Sequence, residues 1–315
     1  MDLPESPRIA IVGSGAIGLY YGARLARAGA RVSFLMRSDL PVVRSRNSII
    51  VREKAEQWQA SPVIAEDQPA AIGPVDVVLV ALKTTANASL AELLPPLLAP
   101  HTMVVTLQNG LGNEEQLAAL VGEERTYGAL CFIGVNRVGP GELQGFHTPG
   151  SMTLGEFRRA AGPKVRQLAD WFQRAGVRCI ASDDLHAARW RKLVWNVPFN
   201  GLCIAAGGVA TDVVCSDPAL LAEARALMHE VAAAAAALGV SIPEKFIESQ
   251  IDVTPPMGPY KPSSLIDHLA GREVEVEPIW GEPLRRAVAA GVAMPRVALL
   301  YALLQQLTKR GRNER

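Results

Sequence analysis

One hexapeptide constrains this chain more than any other feature: Gly13-Ser14-Gly15-Ala16-Ile17-Gly18, a G-x-G-x-x-G that closes the apolar run at residues 9–12. In such a turn the first glycine permits the tight reversal, the second lets backbone approach a pyrophosphate, and the third allows close packing of helix on strand. Residues 16–28 read as a helix stopping at Gly29, and 31–36 as a second strand. A helix that begins at the turn offers its positive end to an anion. Strand, turn, helix and strand together predict a βαβ unit in which Gly13, Ser14, Gly15, Ala16, Ile17 and Gly18 cradle a dinucleotide. A glycine turn with only a structural role is the competing reading.

The first half continues the alternation. Strand-length apolar runs occur at 75–82 and 102–107, a helical stretch at 114–120, and strand-like runs at 128–135 and 151–155. The run V-D-V-V-L-V-A-L is almost wholly apolar, which suits a strand covered on both faces. Residues 139–150 are rich in Gly and Pro and give no clear boundaries. From Asp183 the pattern changes to helical segments at 184–206, 218–238, 262–270 and 294–309. The second of these has Asp217 as N-cap, Pro218 at the first helical position and Gly239 past its end. A chain of 315 residues is expected to form two domains. The expected fold is α/β: an N-terminal Rossmann-type parallel-sheet domain over 1–183, then a mostly α-helical domain over 184–315. The polar ends, 1–7 and 309–315, are expected to fray.

Composition excludes several classes of function. With 49% hydrophobic residues, 20% charged residues and a net charge of +1, the chain can build a large core. It has neither a basic stripe nor an acidic tail to attract nucleic acid or an anionic membrane. A small-molecule ligand is expected instead. No basic leader with an apolar segment precedes the first strand, and no segment reads as a bilayer span, so a cytoplasmic location is expected. Cys131, Cys179, Cys203 and Cys215 are widely spaced and read as free thiols. The five histidines are equally scattered, and no metal site is expected.

Strand ends in a parallel sheet are where ligands bind. At the end of the second strand an NAD site would place Asp or Glu against the ribose hydroxyls, but here the chain reads Leu35-Met36-Arg37-Ser38. Arg37 presents a donor fork suited to a 2′-phosphate, which favours NADPH. The competing reading makes Arg37 a surface charge and gives the ribose to Asp39. Lys83 and Gln108-Asn109-Gly110 follow two later strands and are placed to reach cofactor or substrate; a surface lysine and a plain Asn-Gly turn are the competing readings.

In the helical half, Lys192, Asn196 and Asn200 lie at i, i+4 and i+8 of an otherwise apolar segment. At roughly 100° per residue they fall within about 80° of arc, one polar stripe on a helix. A buried stripe needs partners, since an unpaired polar group costs about 1–3 kcal/mol. A bound polar substrate would supply them, and an interhelical hydrogen-bond network is the alternative. Reduction of a ketone needs a proton donor, and a lysine desolvated below its free value near ~10.4 can act as one. Pro198, inside this segment, is expected to kink it. Ser263 is placed to help hold a substrate carboxylate. Glu275 could accept hydrogen bonds from substrate or Lys192, although Glu273, Glu275 and Glu277 read more simply as one solvated strand edge.

The combination resembles the ketopantoate reductase family. The similar residues are G-S-G-A-I-G, Arg37, A-L-K-T at Lys83 and Thr84, Q-N-G at 108–110, R-K-L-V-W-N-V-P-F-N, K-P-S-S-L-I-D and G-R-E-V-E-V-E, spread over about residues 8–290. The resemblance implies reduction of 2-dehydropantoate (ketopantoate) to (R)-pantoate with NADPH, a step of pantothenate biosynthesis. It implies Lys192 as general acid, Asn196 and Asn200 as substrate-contacting amides, and Ser263 as the carboxylate-binding serine. Glu275 is implied as the acidic residue beside nicotinamide and substrate. Arg37 and Lys83 are implied as NADPH contacts, Asn109 as a contact shared by cofactor and substrate, and Gly134 as a small residue near the nicotinamide. Three departures bear on the oxo acid: Tyr260 stands where members carry asparagine, Ser264 replaces a frequent methionine, and residues 207–212 hold no asparagine. A reductase of another 2-oxo acid and a non-catalytic dinucleotide sensor therefore stay open, and a homodimer through the helical domain is one assembly it could support.

Overall fold

The computed structural model describes residues 2–313 and divides into two compact units. The first is Met1–Gln108 with Asn113–Leu185, and the second is Asn109–Gly112 with His186–Arg315. The first holds ten strands: β1 (Arg8–Val12), β2 (Arg31–Leu35), β3 (Ile49–Arg52), β4 (Gln57–Ala60), β5 (Ile64–Glu66), β6 (Val75–Val80), β7 (Leu98–Thr106), β8 (Thr126–Gly139), β9 (Glu142–Glu156) and β10 (Arg178–Ser182). Its helices are α1 (Ala16–Arg27), α2 (Leu40–Arg46), α3 (Pro69–Ile72), α4 (Leu90–Leu93), α5 (Asn113–Val121) and α6 (Pro163–Arg174).

All ten strands form one sheet in the order β4-β3-β9-β8-β7-β6-β1-β2-β5, with β10 also paired to β9. From β5 through β8 every pairing is parallel. Successive side chains of β1 and β6 enter opposite cores, because side chains alternate across a strand. Ile9, Ile11, Val77 and Leu79 pack with Leu19, Phe34 and Phe172 on one face. Ala10, Val12, Val78 and Val80 pack with Leu90, Leu94 and Leu117 on the other. Burial on both faces is what the unbroken apolar runs require.

Direction reverses at a hairpin that sequence patterning resolved only in part. The expected strands at 128–135 and 151–155 are pieces of β8 and β9, which pair antiparallel from Tyr127↔Glu156 to Gly139↔Glu142. The two-residue loop Pro140-Gly141 joins them, with Gly141 at φ +62°. Glycine tolerates that left-handed conformation without steric cost. The antiparallel pair β3 and β4 adds an edge hairpin that lacked a clear apolar signal. Cross-chain polar contacts hold it instead. Glu53, just after β3, accepts from Tyr20 (2.7 Å), Arg24 (2.6 Å) and the Trp58 indole (2.6 Å), while the Arg24 guanidinium lies 4.8 Å over the Trp58 ring.

The second unit is helical: α7 (Leu185–Ala205), α8 (Thr211–Ser216), α9 (Pro218–Ala237), α10 (Glu244–Asp252), α11 (Ser263–Leu269), α12 (Glu282–Ala289) and α13 (Pro295–Asn313), with a π turn at Glu277–Gly281. Asp217 caps α9, accepting from the N–H groups of Ala219 (2.8 Å) and Leu220 (3.0 Å). Trp190, Phe199, Met228, Val231 and Trp280 are among the fully buried side chains of its core. The helix α7 runs through Pro198 without interruption, and one turn of it is tied to the core by the Trp280 indole, which donates to the Val197 carbonyl at 2.9 Å. The polar C-terminal stretch expected to fray from Lys309 is helical to Asn313; residues 1 and 314–315 lie outside the described residues. None of the four cysteines is paired in a disulfide, and burial pushes the Cys179 and Cys203 thiols up to about 12. Among the described residues no helix is long and apolar enough to cross a membrane.

Burial alone would raise the Glu53 carboxyl, but the hydrogen bonds from Trp58, Tyr20 and Arg24 outweigh it and hold the group below the usual carboxylate range. A depressed folded-state value stabilises the fold above the unfolded value, and that contribution is lost as pH falls through the folded one. Glu53→Gln is therefore expected to cost about 1–3 kcal/mol at neutral pH, since three donors lose a charged acceptor. Urea midpoints of wild type and variant should converge as the pH is lowered through the carboxylate range; a gap independent of pH would refute this account.

Candidate active site

The glycine turn follows β1, whose neighbours β2 and β6 lie on opposite sides of it. This is the topological switch point, where a crevice opens at the strand ends. Gly13 sits at φ +117°, and a Cβ there would lie 2.6 Å from the Ala81 carbonyl carbon and the Leu82 nitrogen. A Cβ on Gly18 would lie 2.1 Å from the Gly13 carbonyl oxygen. Both positions exclude any side chain because backbone already fills the space. Gly15 is different: a Cβ there would meet nothing within 4 Å, and the residue is exposed. It is the N-cap of α1, with no side-chain cap and no acidic residue in the first turn. The first N–H groups of α1 thus lack a side-chain cap beside the open space at Gly15, as a diphosphate would require.

At the end of β2, Arg37 is exposed and its guanidinium has no partner among the described residues. Asp39, the competing ribose ligand, is fully buried. Its Oδ2 accepts from Arg137 Nε (3.0 Å) and the Gly141 N–H (2.9 Å), and its Oδ1 accepts from a second Arg137 nitrogen and from Ser38 Oγ (3.1 Å). Both carboxylate oxygens are therefore engaged. Lys83 is exposed shortly after β6, beyond Ala81 and Leu82, and opens a 3₁₀ turn. Gln108, after β7, is buried and donates to the Leu82 carbonyl (2.9 Å) and Asn87 Oδ1 (2.7 Å), which ties two strand ends together. Gly134 is buried within β8, with register shifts on both sides.

The second unit gathers the remaining candidates. Lys192 on α7 is half-buried and donates from Nζ to Asn109 Oδ1 at 2.8 Å. Asn109 is placed by its neighbour: Gly110 has φ +86°, and a Cβ on it would lie 2.2 Å from the Pro278 carbonyl oxygen. The Leu111 N–H donates to that same oxygen at 2.8 Å, so the loop 109–112 is clipped to the π turn. Asn200 is 3% exposed, and its Oδ1 accepts the Ser264 N–H at 3.2 Å. With the oxygen committed, the NH2 group is the end left to donate. Asn196 is 7% exposed, yet its amide has no hydrogen-bond partner among the described residues. Ser263 is exposed and begins α11.

Glu275 corrects one sequence expectation. Residues 273–277 form no strand; Glu275 is buried between buried Val274 and Val276, whereas Glu273 and Glu277 are exposed. Burial of Glu275 rules out one solvated edge shared by the three glutamates, and the chain enters the π turn instead of a strand. Glu277 belongs elsewhere, accepting from Tyr301 and Arg285.

An aromatic group, not assembled by sequence reasoning, flanks the stripe. The Trp195 ring is 5.0 Å from Phe199 and 6.2 Å from Tyr260, and its indole donates to Thr254 at 2.9 Å. The Tyr260 carbonyl accepts from the Thr211 N–H at 3.0 Å, so the turn without an asparagine is clasped to Tyr260 backbone. The i, i+4 spacing of Trp195 and Phe199 was the available signal.

A switch-point glycine turn on a parallel sheet and a helical unit carrying a lysine–asparagine stripe define a dinucleotide-binding oxidoreductase. Comparison makes the assignment specific. Residues 9–159 match the family described as ketopantoate reductase PanE/ApbA, and residues 184–308 match its C-terminal region. A 2-dehydropantoate 2-reductase of Nostoc sp. is 39% identical over 310 residues, covering 97% of this chain and 96% of that one. The crystal structure of 2-dehydropantoate 2-reductase from Geobacter metallireducens superposes with a TM-score of 0.92 at 43% identity, covering 95% of this chain and 99% of the other. The enzyme of that name from Methylococcus capsulatus gives 0.88 at 34% identity, covering 96% and 97%. The chain belongs to the ketopantoate reductase family, as its motifs had indicated.

The two asparagines should separate by experiment. Asn200→Ala removes an acceptor at the start of α11 and is expected to cost about 0.5–2 kcal/mol of stability. Asn196→Ala removes an amide unpaired in the free protein, so its melting temperature should stay near wild type while KM for the oxo acid rises. Equal melting losses for both would contradict the assignment.

Proposed function

We propose that this protein reduces 2-dehydropantoate to (R)-pantoate with NADPH, the first unit holding the cofactor and the second the oxo acid. The observation that carries the reading is the 2.8 Å hydrogen bond from Lys192 Nζ to Asn109 Oδ1, on the same helix as Asn196 and Asn200. An ammonium is a donor only, and the bond to Asn109 Oδ1 orients the Lys192 Nζ. Lys192 protonates the substrate ketone oxygen as it gains negative charge. Asn196 and the Asn200 NH2 group donate to ketone or carboxylate oxygens, and Ser263 Oγ to the carboxylate.

NADPH supplies the hydride. The residues present fit it: the N–H groups at the start of α1 and the open space over Gly15 would receive the diphosphate, Arg37 would meet the 2′-phosphate, and Lys83 stands beyond the end of β6 on the cofactor side. The unpaired state of Arg37, with Asp39 committed elsewhere, supports NADPH over NADH. Names of relatives 34–43% identical support ketopantoate. A second reading, reduction of a bulkier 2-oxo acid, is favoured by the Trp195–Phe199–Tyr260 group.

NADPH oxidation against a panel of 2-oxo acids decides the substrate; the reading expects the highest kcat/KM for ketopantoate, and a larger value for an aromatic oxo acid would favour the second. Lys192→Ala is expected to lower kcat by about 10²–10⁴-fold. Its affinity for NADPH, read by cofactor fluorescence, should change little, and an unchanged kcat would end the role given to Lys192.

A further inference from the structure

Two acids stand at the end of β2, and each is held by an arginine. Glu66, the last residue of β5 and the register partner of Leu35, is paired with Arg44 at 2.8 Å. Asp39 is paired through both oxygens with Arg137, 98 residues away near the tip of the β8–β9 hairpin. The tip is itself fixed. Arg46 on α2 donates to the Pro140 and Gly141 carbonyls (3.1 and 2.9 Å) and to Glu142 (2.9 Å), and Glu142 also receives Arg52 (2.8 Å).

A free carboxylate two residues from Arg37 would act on the cofactor in two ways. It would repel a 2′-phosphate, and it would offer the ribose hydroxyls of NADH the acceptor they ordinarily find at this position. We infer that Arg137 is a specificity-determining positioning residue: by engaging Asp39 through both oxygens it keeps that carboxylate from the ribose and cancels its charge, leaving Arg37 to receive a 2′-phosphate. Arg137 acts through Asp39 rather than by touching the cofactor. The inference rests on the NADPH reading and extends it to a residue outside the β2 end.

The test is the ratio of kcat/KM for NADPH to that for NADH, at saturating oxo acid, in wild type, Arg137→Gln, Asp39→Asn and the double variant. Arg137→Gln releases the carboxylate and should lower the ratio by about tenfold or more, from like-charge repulsion and gain of NADH. Asp39→Asn, which carries no charge to mask, should leave kcat/KM for NADPH within about threefold of wild type. The double variant should recover the wild-type ratio to a similar extent. A merely structural pair would lower both cofactors together and leave the ratio unmoved in every variant. That result would overturn the inference, as would a double variant no better than Arg137→Gln. If Arg137→Gln does not fold, Arg137→Lys, which keeps the charge but cannot engage both oxygens as a fork, should lower the ratio several-fold, and an unmoved ratio in that variant would overturn the inference. The wild-type ratio by itself tests the NADPH reading, while its shift on substitution tests Arg137, so the two fail separately.

Discussion

The space between the Gly13 carbonyl and Gly18 is too small for a single carbon atom, and the nucleotide-binding half of the molecule is arranged around that contact. A Cβ at either glycine would collide with backbone, at 2.1 Å for Gly18 and 2.6 Å for Gly13. Backbone cannot yield as a flexible side chain can, so β1, the turn and α1 must approach this closely or not form. The consequence is electrostatic as well as steric. The approach fixes the start of α1 at the switch point of the sheet, with uncapped N–H groups aimed where Gly15 leaves space.

The second unit solves a different problem, that of keeping polar groups on a buried helix. Lys192 donates to Asn109, and the Asn200 oxygen accepts from the start of α11, whereas the Asn196 amide is left unpaired. The interhelical network weighed as an alternative to substrate binding is therefore present in part. The bonds that engage Lys192 and the Asn200 oxygen also orient the two side chains. What the network leaves over, one whole amide and the donor end of another, is what an oxo acid can use.

Charge at the end of β2 shows how distant parts of a chain settle a local question. Arg37 and Asp39 are two residues apart, and the sequence permits either to address the cofactor. Asp39 is buried beneath Arg137 and Gly141, at a hairpin tip that is in turn held by Arg46, while Arg37 is exposed.

The sequence by itself determined the glycine turn, the alternation of apolar runs that gives a sheet buried on both faces, the helical second half, and the Lys192, Asn196 and Asn200 stripe. Each is a local regularity, a period or a spacing within one element, and local regularities survive without tertiary information. Only the tertiary structure decided the long β8–β9 hairpin, the β3–β4 edge held by Glu53, the burial of Glu275 and the bond from Lys192 to Asn109. The hairpin runs through Gly- and Pro-rich sequence that masks its strands, and Glu275 sits where strand alternation gives way to a π turn. The others join residues far apart in the chain, 33 positions for Tyr20 and Glu53 and 83 for Asn109 and Lys192. No period or propensity carries such pairings, because their partners become neighbours only when the sheet and the helices have packed.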